Sequence, residues 1–240
     1  MYYLLHPQIY IYYMERIDRF NVFEAKIVPL NRMPRSSRKP ERSGRSGRLL
    51  TDEQKYYDEN QIEDKSGPKP AMLFTDVVGS SKMWSDDPQT MSIQLDKHFK
   101  IMDNLARKYG GFVVKTIGDA FMVYFPKNEK SLENAVDFAV EVIKIEELPL
   151  RIGICSGNMT AKKCRIQNVE LVDFFGDVVN TASRMESKVA EQGGIAFTSV
   201  DNIDNQMESI SKKYKLVKIT GKGIPDLKGV EIDFAYKLKV

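Results

Sequence analysis

The sequence predicts an α+β protein built on a ferredoxin-like βαββαβ sheet with helices on one face, and three observations predict it. Apolar runs of strand length alternate with stretches whose apolar residues recur at three-to-four spacing. Two of those runs, FVVKTI and AFMVYF, flank Gly118-Asp119, a residue pair suited to a tight hairpin. The elements then follow as strand, helix, strand, strand, helix, strand, the ferredoxin-like order.

Each element has its own warrant. AMLFTDVV, beginning at Ala71, is an apolar run and reads as a buried strand. Pro88 to Tyr109 reads as a long helix, because Met91, Leu95, Phe99, Met102 and Ala106 share a face and Gly110-Gly111 ends it. Ser131 is placed to cap a second helix running to Lys144, with Ala135, Phe138, Ala139 and Val142 on its inner face. LRIGICSG is the next strand. FFGDVVNTASRMESKVAEQ reads as a helix and GIAFTS as a strand, and late strands fall near Tyr214–Thr220 and Ile232–Leu238. NMTAKKCRIQNVELV, between Gly157 and Asp173, fits a small hairpin.

Three regions result: residues 1–31, a strand or amphipathic helix with no assigned role; residues 32–70, a linker; and residues 71–240, the compact domain. The linker holds a tract, RMPRSSRKPERSGRSGR at 32–48, with seven basic residues and one acidic one against a net charge of +3 for the whole chain. Its Ser, Gly and Pro content leaves little to bury, so it reads as disordered. A solvated spacer and a contact for an anionic membrane or regulatory partner are both compatible with it. Without interleaved aromatics it does not read as a nucleic-acid module. LTDEQKYYDENQIED, before Ser66-Gly67-Pro68, reads as a short charged helix.

No apolar run approaches the roughly 20 residues needed to cross a bilayer. The aromatic N-terminus is broken by His6 and Pro7 and lacks the basic start of a signal peptide. Two cysteines and two histidines form neither a disulfide framework nor a metal-ligand spacing. A reducing, cytoplasmic location is expected, with peripheral membrane attachment as the variant that the basic tract allows.

The chemistry gathers around two aspartates. Asp76 ends the first strand of the domain and Asp119 sits at the hairpin tip, and a βαββ sheet places those strands side by side. Each alone would serve as a turn or cap residue. Together they repel, and a divalent cation with oxygen preference, Mg²⁺ or Mn²⁺, resolves the repulsion. Gly79 and Ser80 follow at once and can offer backbone N–H groups to a phosphate.

FTDVVGSSKMW, KTIGDAFMVYF, RIGICSG and FFGDVVNTASRMES, in this order over residues 71–238, resemble the class III nucleotidyl cyclases, the adenylyl and guanylyl cyclase catalytic domain. The resemblance implies the class III cyclase fold working as a dimer, with substrate held between protomers. It implies conversion of a nucleoside triphosphate to a 3′,5′-cyclic monophosphate and pyrophosphate. Two cations per site would be held by Asp76 and Asp119 with the Val77 carbonyl. Asn180 matches the asparagine that orients the ribose, and Arg184 the arginine that supports charge on the α-phosphate; four apart on a helix, they share a face. Lys228 is the expected contact for the triphosphate tail, with Lys222 the alternative.

In the family, the lysine at Lys115 faces the base while the aspartate four residues on faces metal. Lys115 donates and Asp173 accepts, which suits the N1 acceptor and N6 donor of adenine. Guanylyl cyclases carry glutamate at the Lys115 position. The expected substrate is therefore ATP, and the expected assembly is a homodimer with shared sites. Cytosine presents the same donor–acceptor order, and Lys115 and Asp173 could instead simply pair with each other. A GTP or CTP cyclase and a catalytically silent regulatory domain are the alternatives. The hairpin lacks the second acidic residue of diguanylate cyclases.

Overall fold

The computed structural model describes residues 67–166, 169–200 and 204–240, together with the backbone of β1 (Tyr2–Leu4), β2 (Tyr10–Ile17) and β3 (Val22–Pro29). The basic tract and the charged helix expected before Ser66 lie outside the described residues. The chain divides into two units, residues 1–57 with 163–171 and residues 58–162 with 172–240. In the first, β1, β2 and β3 form an antiparallel sheet in that order, so the described residues of the N-terminal segment are strands.

The second unit is built on a seven-stranded sheet ordered β11-β12-β10-β7-β4-β6-β5. Its centre comprises β4 (Ala71–Val77), β5 (Phe112–Ile117), β6 (Ala120–Phe125) and β7 (Leu150–Ser156). The pairings among them are antiparallel, with β4 between β7 and β6. Helices α2 (Pro88–Lys108) and α3 (Ser131–Ile145) complete the βαββαβ unit. Beyond β7, β10 (Gly194–Ser199) runs parallel to it, followed by β12 (Phe234–Lys239) and the edge strand β11 (Val217–Thr220). The strands β8 (Thr160–Ile166) and β9 (Val169–Phe175) form the expected hairpin.

One face of the sheet carries the main core, where Leu73, Phe121, Val123, Ile152 and Ile154 meet Met91 and Met102 of α2 and Leu132, Ala135 and Phe138 of α3. Burying such side chains contributes about 1.5–3 kcal/mol each relative to exposure. On the other face lie α4 (Asp177–Arg184) and a π-helical turn, Met185–Val189. There Met185 and Val189 pack with Ala196, Leu227 and Ala235. Helices on one face therefore describe the βαββαβ unit and not the whole sheet.

Ser131 does not cap α3: its hydroxyl donates to the Lys69 carbonyl, and Gln206 Oε1 accepts from Leu132 N (2.9 Å) and Glu133 N (3.3 Å) instead. Gln206 belongs to α5 (Asp204–Lys213), which, like α1 (Ser80–Asp86), is too short to show a clear apolar period. Asp87 caps α2, accepting from Thr90 N at 3.0 Å. The helix read from Phe174 onward starts at Asp177, since Phe174 and Phe175 end β9 and Gly176 turns at φ 124. Among the described residues, no helix is long and apolar enough to cross a membrane.

Candidate active site

Antiparallel pairing of β4 with β6 sets Phe74 opposite Met122 and brings the end of β4 beside the start of β6. Phe121 N–H donates to Thr75 Oγ1 at 3.1 Å, tying the hairpin to the strand next to Asp76. Gly118 takes φ 65 in the two-residue turn, a conformation that favours glycine, and Asp119 completes it. Both carboxylates thus stand at one end of the sheet. Burial raises the Asp76 carboxyl above its ordinary value; Arg151 pulls it down and the negative charge of Asp119 pushes it up.

Asp119 Oδ2 is buried with no hydrogen-bond partner. Buried polar atoms without partners are rare and costly. An orphaned carboxylate oxygen beside a second carboxylate is what a hard cation satisfies, so the two side chains fit a Mg²⁺-type ligand set that takes one or two carboxylates and completes itself with water and phosphate. Among the described residues no cluster of three or more His, Cys, Asp or Glu side chains forms a fuller metal cage. Gly79 follows in the left-handed region at φ 78, with open space around its Cβ position, and starts α1. The leading N–H groups of a helix, here from Ser80 on, have no intrahelical acceptor.

Lys115 reaches its place through an irregularity that simple alternation misses. The β5–β6 register passes from Val113 opposite Val123 to Lys115 opposite Met122, leaving Val114 as an extra residue in a bulge. Lys115 Nζ lies 2.6 Å from Asp173 Oδ2, and both side chains are partly exposed. Phe174 stacks on Tyr124 with centroids 4.4 Å apart, which anchors the end of β9 and so places Asp173. Lys115 and Asp173 therefore adjoin and bond to each other directly.

Asn180 and Arg184 lie on α4, four residues apart, with Asn180 exposed and Arg184 half-buried. Neither side chain hydrogen-bonds to another described residue. Lys228 is exposed beyond the 3₁₀ turn Gly221–Gly223; its backbone sits at φ 49 and its N–H donates to Asp226 Oδ1 at 2.9 Å. The structure brings together Asp76 with Asp119, and Lys115 with Asp173; no contact links Lys228 to the others. Two further charged residues, absent from the residues singled out by motif, join the site. Arg151 donates to Asp76 Oδ2 at 2.8 Å and to Glu186 Oε1 at 2.5 Å. A charge inside the apolar run LRIGICSG is the available signal.

Comparison with known proteins bears on this arrangement. Residues 62–229 match the family model of the adenylate and guanylate cyclase catalytic domain. An adenylate cyclase of Lachancea kluyveri is 30% identical over 175 residues, covering 61% of this chain but 9% of that protein. The chain thus spans under a tenth of that relative's length. The catalytic core of a rhodopsin-guanylyl cyclase with converted specificity, in complex with ATPαS, superposes with a TM-score of 0.60 at 26% identity, over 72% of this chain and 96% of that one. The guanylate cyclase domain of RhGC from Catenaria anguillulae, in complex with GTP, gives the same TM-score of 0.60 and 26% identity, over 72% of this chain and 97% of that one.

Proposed function

Because this chain belongs to the family of adenylate and guanylate cyclase catalytic domains, the class III nucleotidyl cyclases, we propose that it converts ATP to 3′,5′-cyclic AMP and pyrophosphate. The observation that carries the proposal is the buried, unpartnered Asp119 Oδ2 beside Asp76 at one end of the sheet. In the reaction the ribose 3′-oxygen gives up its proton and forms a bond to the α-phosphorus. The bond from that phosphorus to the bridging oxygen breaks, and pyrophosphate leaves.

Asp76 and Asp119, with the Val77 carbonyl, would hold two divalent cations, Mg²⁺ or Mn²⁺, which supply Lewis-acid stabilisation of charge at the phosphates. Asn180 orients the ribose. Arg184, uncommitted to any described residue, supports the negative charge that builds on the α-phosphate. The backbone at Gly79 and Ser80 receives phosphate oxygens, and Lys228 meets the end of the triphosphate. Lys115 donates to adenine N1 and Asp173 accepts from N6; their adjacency at 2.6 Å supports one donor–acceptor unit reading one base edge. Guanine presents the opposite order and is disfavoured.

The assembly is a homodimer with substrate between protomers. Ile117, between Lys115 and Asp119, is 63% exposed, and Phe175, next but one to Asp173, is 45% exposed. Large apolar side chains beside each half of the site are what a partner surface covers.

The experiment is incubation of the protein with ATP, GTP, CTP and UTP separately, with Mn²⁺ and then Mg²⁺, and identification of products by mass spectrometry. Cyclic AMP, absent from an Asp76→Ala control, is the expected result. Cyclic GMP or cyclic CMP would keep the reaction and overturn the base assignment. No cyclic product at any protein concentration would leave a regulatory, catalytically silent domain.

A further inference from the structure

Tyr124 of β6 stands opposite Phe112 of β5, and Lys115 stands opposite Met122. Met122 and Tyr124 are two apart on one strand and share a face of the sheet, which puts Lys115 on the Tyr124 side. Among the described residues no strand pairing joins β9 to this sheet, so side chains seat its end there. Phe174 does so: its ring stacks on Tyr124 with an interplanar angle of 22°, and both rings are buried. The Tyr124 ring is held at its far edge as well, where its hydroxyl accepts from the Lys127 backbone N–H. Burial pushes that hydroxyl up to about 12, so it is a neutral phenol near neutral pH.

The stack reaches the carboxylate next door. Phe174 N–H donates to Asp173 Oδ1 at 2.9 Å, while Asp173 Oδ2 accepts from Lys115 Nζ at 2.6 Å. One oxygen is therefore tied to the backbone of the stacked residue, which sets the plane of the carboxylate. Each carboxylate oxygen has two lone-pair sites, so Oδ2 keeps one for a second donor. Tyr124 fixes Phe174, and Phe174 fixes the direction in which Asp173 accepts.

We propose that Tyr124 is a positioning residue for base selection: through Phe174 it aims the Asp173 carboxylate at the 6-amino group of a purine. The inference rests on the reading of Lys115 and Asp173 as one base-edge unit, and it adds a residue that acts only through another. A leucine at 124 fills much of the space but offers no flat face to stack on, so Phe174 and the carboxylate beside it gain freedom. Hydrogen bonds are strict about angle, so a loosely held acceptor discriminates poorly. A phenylalanine at 124 keeps the face.

The test uses the full chain and two nucleotides that cannot cyclise, the 3′-deoxy forms of ATP and of purine riboside triphosphate. The second carries hydrogen in place of the 6-amino group and keeps the N1 acceptor, so only the contact with Asp173 differs. Dissociation constants are measured by isothermal titration calorimetry in Mg²⁺ for the parent, Tyr124→Leu, Tyr124→Phe and Asp173→Ala. The parent should prefer 3′-deoxy-ATP by about 10- to 100-fold, the worth of a hydrogen bond to a charged group. Tyr124→Leu should lose most of that preference by weakening 3′-deoxy-ATP alone, and Tyr124→Phe should keep it. A residue that only stabilises the fold would weaken both nucleotides alike and leave the ratio intact. A parental ratio in Tyr124→Leu, alongside an Asp173→Ala protein that loses it, overturns the role of Tyr124 alone. A parent that binds both nucleotides alike, or an Asp173→Ala protein that keeps the parental ratio, overturns the base-edge reading and this inference with it. Should Tyr124→Leu fail to unfold cooperatively in a thermal melt, Phe174→Leu decides, since it removes the same stack from the other side: a lost ratio supports the role of the stack, and a parental ratio overturns it.

Discussion

Gly153 of β7 lies so close to Glu186 that a Cβ would stand 2.0 Å from the Glu186 backbone nitrogen and 2.4 Å from the Ala182 carbonyl oxygen. The bare glycine is what lets α4 and the π turn press against the sheet. Both obstacles are backbone atoms, which cannot rotate aside as a side chain would. Gly153→Ala should therefore cost about 3 kcal/mol, the upper end for overpacking. For a protein of this size that lowers Tm by roughly 6–12 °C in a thermal melt. An unchanged Tm would mean that α4 does not press on β7 at this position.

Asp119 predicts opposite effects on activity and on stability. Its buried Oδ2 has no partner, and an unsatisfied buried polar atom costs about 1–3 kcal/mol. Asp119→Ala removes that atom and the charge facing Asp76. In the absence of divalent cation the variant should melt above the parent. Added Mn²⁺ should raise the Tm of the parent and leave the variant unmoved, while cyclic nucleotide formation disappears. A variant that retains activity would remove Asp119 from the site.

The base-reading pair gives a separable prediction. Lys115 and Asp173 lie 2.6 Å apart, and the proposal gives them one purine edge to read as donor and acceptor. Lys115→Glu with Asp173→Cys reverses that pattern and should shift the preference from ATP towards GTP. Initial rates with each nucleotide at subsaturating concentration report the ratio of kcat/KM directly. A double variant that still strongly prefers ATP would show that something other than this pair selects the base.

Much of this architecture is legible in the sequence, and what is not legible depends on a one-residue irregularity or on partners distant along the chain. The βαββαβ order, the hairpin at Gly118-Asp119 and the helix from Pro88 rest on apolar period and turn residues, which act over a few positions and so can be read from sequence. The bulge at Val114 is invisible to alternation, because one unpaired residue resets the face on which Lys115 falls. The cap of α3 comes from Gln206, 74 residues from Leu132, so no local pattern could announce it. Arg151 shows in the sequence only as a single charge in an apolar strand, which has meaning only once Asp76 stands across from it and Glu186 closes the other side.

The last prediction concerns acid stability, and it depends on His98 and Glu146. His98 is fully buried on α2, with Nδ1 2.7 Å from Oε2 of Glu146, the residue after α3. The Glu146 Oε1 accepts from Glu147 N at 3.0 Å and Leu148 N at 3.3 Å. Burial alone would raise this carboxyl, but the hydrogen bond and charge of His98 and the two backbone N–H groups outweigh it and hold it below its ordinary value. The neighbouring Lys97–Glu147 pair is exposed, at 3.7 Å, and contributes little. As pH falls, the unfolded chain takes up the Glu146 proton first, so the native state loses its advantage only as pH passes down through the depressed native value. The stabilisation is complete above the ordinary carboxyl value of 4.5 and fades below it. Glu146→Gln should therefore cost about 1.5–3 kcal/mol at neutral pH, the range for a hydrogen bond to a charged group. Urea titrations should show that difference shrinking as pH falls below the ordinary carboxyl value of 4.5 towards the depressed native one. A cost that stays constant from neutral to acid pH would show that Glu146 stabilises the α2–α3 junction by shape and neutral hydrogen bonds and not by its charge.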